Sequence, residues 1–242
     1  MCRISISLDD VKGIFRTLVN EELNSIFETR TLKFLKELHD KYGTSFELFC
    51  TYSHKDYCLA NMTEKYKNEF KTNSDWLKFG FHCFEEDSAI SDMCSTEFEM
   101  MFVDFIKHLS RVTGQDICLK QLRLHGFNGT KEICRILRKH GVVTLLASDD
   151  NRKNYYLNSK KNALLFEEGI YFDKEEDIRF VSSCVRLENN ENIMNQISNK
   201  IDNKIDLIPI FTHEWQMDNE TVRKRMEECC RIEQQMRESE FL

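Results

Sequence analysis

Hydrophobic and polar positions along the chain follow two alternating periods. Short β-rich runs occur at residues 3–8 (RISISL), 46–52 (FELFCTY), 76–82 (WLKFGFH), 122–127 (LRLHGF), 142–147 (VVTLLA), 178–187 (IRFVSSCVRL) and 207–212 (LIPIFT). Between them stand longer segments with helical spacing. Residues 31–41 place Leu32, Leu35 and Leu38 on one face, and residues 96–112 place Phe98, Met101, Phe102, Phe105, Ile106 and Leu109 three or four apart. Residues 130–140 open on an N-cap threonine, Thr130, and stop at Gly141, while 221–237 close the chain as a charged amphipathic helix. Strands separated by helices predict a parallel sheet with helical crossovers. The runs VVTLLA and LIPIF are almost continuously apolar, as strands buried on both faces are. Pro209, inside the last run, suits an edge or opening strand because it lacks an N–H. With no linker, internal repeat or low-complexity block, residues 1–242 read as one α/β domain.

Composition narrows the class of protein. Eighteen Phe, seven Tyr and two Trp exclude a disordered chain, and eight Gly with one Pro exclude collagen-like or Pro/Gly-rich sequences. A net charge of -7 disfavours a nucleic-acid backbone as partner. No apolar run reaches membrane-span length, and MCRISISLDD lacks the basic flank and apolar core of a signal peptide. Cys2, Cys50, Cys83 and Cys184 lie in or beside apolar runs, where Cys behaves as a small hydrophobe, and there is no CxxC or paired Cys/His zinc spacing. A reduced, cytoplasmic protein is the expectation. Cys229-Cys230, in the charged last helix, has no reading from the sequence.

Polar residues that can do chemistry collect at the C-terminal ends of the strand-like runs. The first run is followed by Asp9-Asp10, the third ends in His82, the fourth contains His125, the fifth precedes Asp149-Asp150, and the last is followed by His213-Glu214. In a parallel barrel or doubly wound sheet these ends share the face that carries active sites. Asp and His converging there suit a divalent cation, zinc above all, with nickel, cobalt or manganese as alternatives. Each residue also has a plainer role open to it. Asp9-Asp10 could cap a helix starting at Val11, His82 could be a buried hydrogen-bonded histidine, and Asp149-Asp150-Asn151 is a good turn sequence. Phosphate loops (GxGxxG, GxxxxGK[ST]) and the GxSxG nucleophile elbow are absent from the sequence.

SLDD (7–10), the His of FGFH (79–82), RLHGF (123–127) and FTHEW (211–215) together resemble the polysaccharide deacetylases of the NodB-homology, or carbohydrate esterase 4, superfamily. The resemblance runs in strand order over nearly the whole chain and implies a distorted (β/α)7 barrel, matching the seven runs. It implies that Asp9 is the catalytic base, Asp10 a metal ligand and His82 the first metal-binding histidine of an HxxxH motif. Four residues later this chain has Glu86 rather than the second histidine. Arg123 resembles the arginine that braces the base, with His125 two residues on where the family has proline. On geometry, His125 is the candidate for the missing ligand. His213 resembles the histidine that protonates the leaving group, Glu214 is placed to orient it, and Asp150 corresponds to the family's acid near the arginine.

The expected activity is therefore that of a metal-dependent hydrolase, removing an acyl group from, or cleaving a C–N bond in, a small or oligomeric carbohydrate-like substrate. Two alternatives remain open. One is a metal-independent, glycosidase-like barrel using carboxylates such as Asp9, Asp150 and Glu214; the other is a non-catalytic descendant that binds carbohydrate at the same mouth.

Overall fold

A computed structural model describes residues 2–87, 89–117, 120–183, 185–189, 192–202 and 205–239. Among them the strands are β1 (Arg3–Val11), β2 (Phe46–Thr51), β3 (Ser53–His54), β4 (Tyr57–Cys58), β5 (Leu77–Cys83), β6 (Gln121–Leu122), β7 (Thr144–Ala147), β8 (Ile170–Asp173), β9 (Ile178–Ser182), β10 (Val185–Arg186) and β11 (Leu207–His213). The helices are α1 (Gly13–Asn20), α2 (Arg30–Tyr42), α3 (Lys67–Thr72), α4 (Ser95–Thr113), α5 (Lys131–Lys139), α6 (Ser159–Glu168), α7 (Ile193–Asp202) and α8 (Glu220–Ser239).

Strands β10-β11-β1-β2-β5 form one parallel arc and β6-β7-β9-β8 a second, in which only β8 runs antiparallel. The arcs meet where β5 approaches β6 and β11 approaches β9, giving a distorted barrel surrounded by helices. This is the α/β architecture of parallel strands and outer helices that the apolar runs predict. Eight of the nine residues of β1 are buried, consistent with a strand covered on both faces.

The structure adds to the seven runs the antiparallel strand β8 and the β3-β4 hairpin, and it differs from them in three further ways. The run 178–187 is two strands in different arcs, because the chain leaves the barrel wall after Ser182 and re-enters it at Val185. In the run 122–127 only its first residue is strand; His125–Phe127 form a 3-10 turn. Pro209 lies in β11, an interior strand, between β1 and β10; β10 first pairs at Ile210, one residue beyond the proline.

Aromatic packing fixes the wall that carries His82. Phe81 on β5 meets Phe84, Phe105 and Phe102 at centroid distances of 4.7, 5.0 and 5.4 Å, the last two from the apolar stripe of α4. Helix α4 ends at Gly114 (φ 65), a left-handed stop that favours glycine. Helix α5 begins as the sequence predicts, with the Thr130 side chain accepting from the Ile133 N–H. The buried stripe of α8 includes Val222, Met226, Cys229 and Cys230, so the unexplained cysteine pair is core packing. Cys50, Cys83 and Cys134 are likewise buried thiols, and Cys184 lies outside the described residues. Among the described residues no helix is long and apolar enough to cross a membrane.

Candidate metal centre and active site

Strand β1 stays in register with β11 as far as Asp9 opposite His213, but its pairing with β2 shifts between Leu8 and Val11. Asp10 sits in that irregularity with φ 56. Consecutive strand residues normally point to opposite faces; a bulge re-aims them. Here Asp9 and Asp10 both meet groups around the same strand ends. Asp9 Oδ1 accepts from Arg123 at 2.9 Å, and Asp10 faces His82 and His125.

Arg123 is fully buried. It donates to Ser7 Oγ at 2.9 Å and to Ser183 Oγ at 3.0 Å besides Asp9, and its guanidinium lies 4.2 Å from the centre of the Phe211 ring. Its backbone carbonyl is 2.7 Å from His82 Nδ1. A carbonyl only accepts, so Nδ1 carries the hydrogen and, in the neutral ring, the Nε2 lone pair is free.

That lone pair points into a triangle of ligand atoms. His82 Nε2 and His125 Nδ1 stand 3.2 and 3.3 Å from Asp10 Oδ1, and 3.3 Å from each other. Tetrahedral bonds of about 2.1 Å separate neighbouring ligand atoms by roughly 3.4 Å, close to these values. Asp10 Oδ1 is also buried without a well-formed hydrogen bond. The three residues form a group that can hold a metal ion, and their N/O donors fit a divalent cation. Burial alone would raise the Asp10 carboxyl, but the two imidazoles hold it well below the usual carboxylate range. Burial likewise pushes His82 down, and the charges of Asp9 and Asp10 more than offset this, leaving it raised.

His125 reaches the group from its turn rather than from a strand end. The two residues after it are both left-handed, Gly126 at φ 61 and Phe127 at φ 54. Phe127 is buried, and its carbonyl accepts from the Tyr155 N–H at 2.7 Å, which holds the strained turn. Glu86 stands outside the triangle, in an ion pair with Lys12 and 3.8 Å from His54.

His213, beside Asp9, is held by a residue the sequence reading missed. Its Nδ1 lies 2.5 Å from Glu188 Oε1, while Glu188 Oε2 accepts from Thr212 Oγ1 at 2.7 Å. Burial would raise Glu188, but these contacts and the His213 charge lower it. Trp215 stacks on the His213 ring at 5.4 Å and remains 62% exposed. Glu188 follows directly on the run 178–187, so the strand-end pattern that singled out His213 applied to it as well.

Two expectations are corrected. Glu214 does not orient His213; its buried carboxylate accepts from the backbone N–H groups of Lys12, Gly13 and Ile14 at 2.8, 2.6 and 2.7 Å, capping α1. Burial pushes its carboxyl up, and the three N–H groups offset part of that. Asp150 does not reach Arg123; it lies in a surface turn bonded to Arg152 at 2.7 Å, while Asp149 lies 3.1 Å from Arg186. The turn chemistry of Asp149-Asp150-Asn151 prevails there.

No protein-family model matches the chain, and no curated protein matches it by sequence. Several solved structures share its fold. A Mycobacterium smegmatis protein described as a polysaccharide deacetylase aligns over 95% of this chain and 84% of its own, with TM-score 0.56 and 9% identity. The Xyl-CE4 domain of a multidomain xylanase from the hindgut metagenome of Trinervitermes trinervoides aligns over 98% and 84%, with TM-score 0.50 and 8% identity. A 4-alpha-glucanotransferase from Thermococcus litoralis aligns over 95% of this chain but 38% of its own, with TM-score 0.57 and 12% identity. At such identities the likeness is one of fold, and it is the fold that the strand-end motifs imply.

Glu214 is expected to act on stability. Glu214→Ala strands three N–H groups at the start of α1 and should cost about 2–4 kcal/mol in urea unfolding. Gly13→Ala should also destabilise, by about 1 kcal/mol, although alanine is the better helix former. Its Cβ would lie 3.1 Å from both Glu214 carboxylate oxygens, which the three hydrogen bonds hold in place. An unchanged unfolding midpoint in Glu214→Ala would refute the capping role.

Proposed function

We propose that the protein is a metal-dependent hydrolase of the deacetylase type, acting on the acylated amine or ester of a carbohydrate-like substrate. The observation that carries this reading is the division of labour between adjacent carboxylates. Asp10 faces two imidazoles in a ligand triangle, while Asp9 is held apart from it by a buried arginine. A divalent cation held by Asp10, His82 and His125, zinc by the donor set, would polarise the scissile carbonyl and lower the pKa of a water.

Asp9 is placed to take the proton from the attacking water as general base. Arg123 fixes its orientation through the 2.9 Å contact to Oδ1. His213, in register with Asp9 on the neighbouring strand, is placed to protonate the departing nitrogen or oxygen. Glu188 accepts from the Nδ1–H of that ring and fixes its orientation, leaving Nε2 as the nitrogen that transfers the proton. The exposed face of Trp215 offers an apolar wall for a sugar ring beside it. The carboxylate-pair alternative loses support, because Asp150 and Glu214 are bound elsewhere.

Asp9→Asn and His213→Ala should each lower kcat by about 10²–10⁴ towards an N-acetylated amino-sugar oligomer or an aryl acetate. Full activity in both variants would overturn the roles of Asp9 and His213, and no hydrolysis by the parent protein would leave binding alone. Metal analysis and calorimetry should find one zinc per chain, with affinity reduced by His125→Ala and unaffected by Glu86→Gln. Affinity should rise with pH, because both imidazoles must shed protons to bind the ion. The raised His82 pKa extends that competition above the ordinary imidazole range, so zinc binding that is flat between pH 6 and 8 (roughly the histidine window) would argue against this ligand set.

A further inference from the structure

The opposite end of the barrel carries a polar cleft that the proposed chemistry does not use. Because the barrel strands are parallel, their first or second residues gather there: Arg3 on β1, Glu47 on β2, Lys78 on β5 and Gln121 on β6. These four line two adjoining cavities of about 590 and 530 Å³, within the size range of small-ligand sites. The cleft is lined by an ordered polar chain.

Glu47 Oε2 accepts from Ser5 Oγ at 2.8 Å and from Gln121 Nε2 at 2.5 Å, Gln121 Nε2 also donates to Ser5 Oγ at 3.0 Å, and Gln121 Oε1 accepts from Arg3 at 3.0 Å. Ser5 and Gln121 are both at least nine-tenths buried. The chain therefore holds hydroxyl-binding groups and a carboxylate at the inner end of the cleft.

The rim has the opposite character. Lys71, Lys78 and Lys120 line the smaller cavity together with Arg3. None of the four forms an ion pair with an acidic side chain among the described residues, although Glu47 and Asp116 line the same cavity. Elsewhere the cations are widely matched: Arg179 pairs with Asp206 and Arg237 with Glu233 on the far side of the same floor. In a chain of net charge -7, four unmatched cations around one cavity are a local reversal of sign.

We propose that this floor is a second binding site, separate from the mouth, for a small phosphorylated sugar. Lys78, Lys120, Lys71 and Arg3 receive the phosphate, and Glu47 with Gln121 and Ser5 receives hydroxyls further in. Charge-assisted contacts of this kind are the strong ones, and a carboxylate beside a neutral amide suits hydroxyl donors.

The test is calorimetric titration of the full-length protein with glucose 6-phosphate. Saturable binding at one site is expected, and the Lys78→Ala/Lys120→Ala double variant should weaken it about tenfold or more. Thermal unfolding of that variant should match the parent, since both lysines are at least partly exposed. His82→Ala, at the mouth, should leave the affinity unchanged. Inorganic phosphate should bind about tenfold more weakly than the sugar phosphate, the difference being the hydroxyl contacts. Absence of saturable binding, equal affinity in the lysine variant, or loss of binding in His82→Ala would overturn the site. Equal affinity for phosphate and glucose 6-phosphate would overturn its assignment to a sugar.

Discussion

A guanidinium with no exposed surface must be matched where it lies, and Arg123 organises the mouth of the barrel by being matched there. Removing one partner of such a buried pair commonly costs about 3–5 kcal/mol, because the remaining charge is stranded. Asp9 supplies the charge, Ser7 and Ser183 supply further acceptors, and the Phe211 ring covers one face. The same residue's carbonyl sets the tautomer of His82. One residue thus fixes both halves of the proposed chemistry, the base through its side chain and a metal ligand through its backbone. The constraint also explains why β1 must deviate from a regular strand. With Asp9 committed to Arg123, Asp10 can meet His82 and His125 only if the chain turns within the strand end, and its left-handed backbone accomplishes that turn.

Strain is concentrated around this arrangement. Asp10, Phe127 and Tyr155 all have positive φ, and the latter two are joined by a backbone hydrogen bond behind His125. Such conformations cost of order 1–3 kcal/mol each and persist only where surrounding packing over-determines them. The Tyr155 ring packs 5.4 Å from Phe180 and its hydroxyl donates to the Leu146 carbonyl at 2.7 Å, while the Glu214 cap holds the segment that follows Asp10. Glu214 in this sense serves the site from a distance: by anchoring the start of α1 to the end of β11, it fixes the short segment that contains Asp10.

The sequence pattern locates strand ends well because apolar runs are set by burial, which composition records. Asp9, Asp10, His82 and His213 were legible for that reason. Direction is a different matter. Glu214 follows His213 in sequence, yet it points to backbone donors of another segment, a pairing between residues some two hundred positions apart that no local pattern encodes. Asp150 failed for the converse reason, since local turn chemistry and Arg152 hold it at the surface. Glu188 also stands at a strand end, but the run 178–187 reads as a single strand, so its place beside β11, in the other arc after the break that follows Ser182, was not legible. The missing second histidine of the HxxxH spacing was legible, but not what replaces it.

What replaces it follows from charge. A histidine four residues after His82 would bring a neutral donor to the cation from the same strand end; this chain has a carboxylate there, and Lys12 neutralises it in an ion pair. Had Glu86 turned inward, Asp9, Asp10 and Glu86 would have placed three carboxylates around one site with only Arg123 and the imidazoles to balance them, and mutual repulsion would have raised their pKa values. Pairing Glu86 with Lys12 removes that repulsion and leaves the third ligand position to a group from another element. In the proposed centre His125 takes it from a turn held by the Tyr155 N–H bond to the Phe127 carbonyl. The ligand triangle is thereby shared among β1, β5 and the turn after β6, so its geometry depends on the two arcs of the barrel staying in contact where β5 approaches β6.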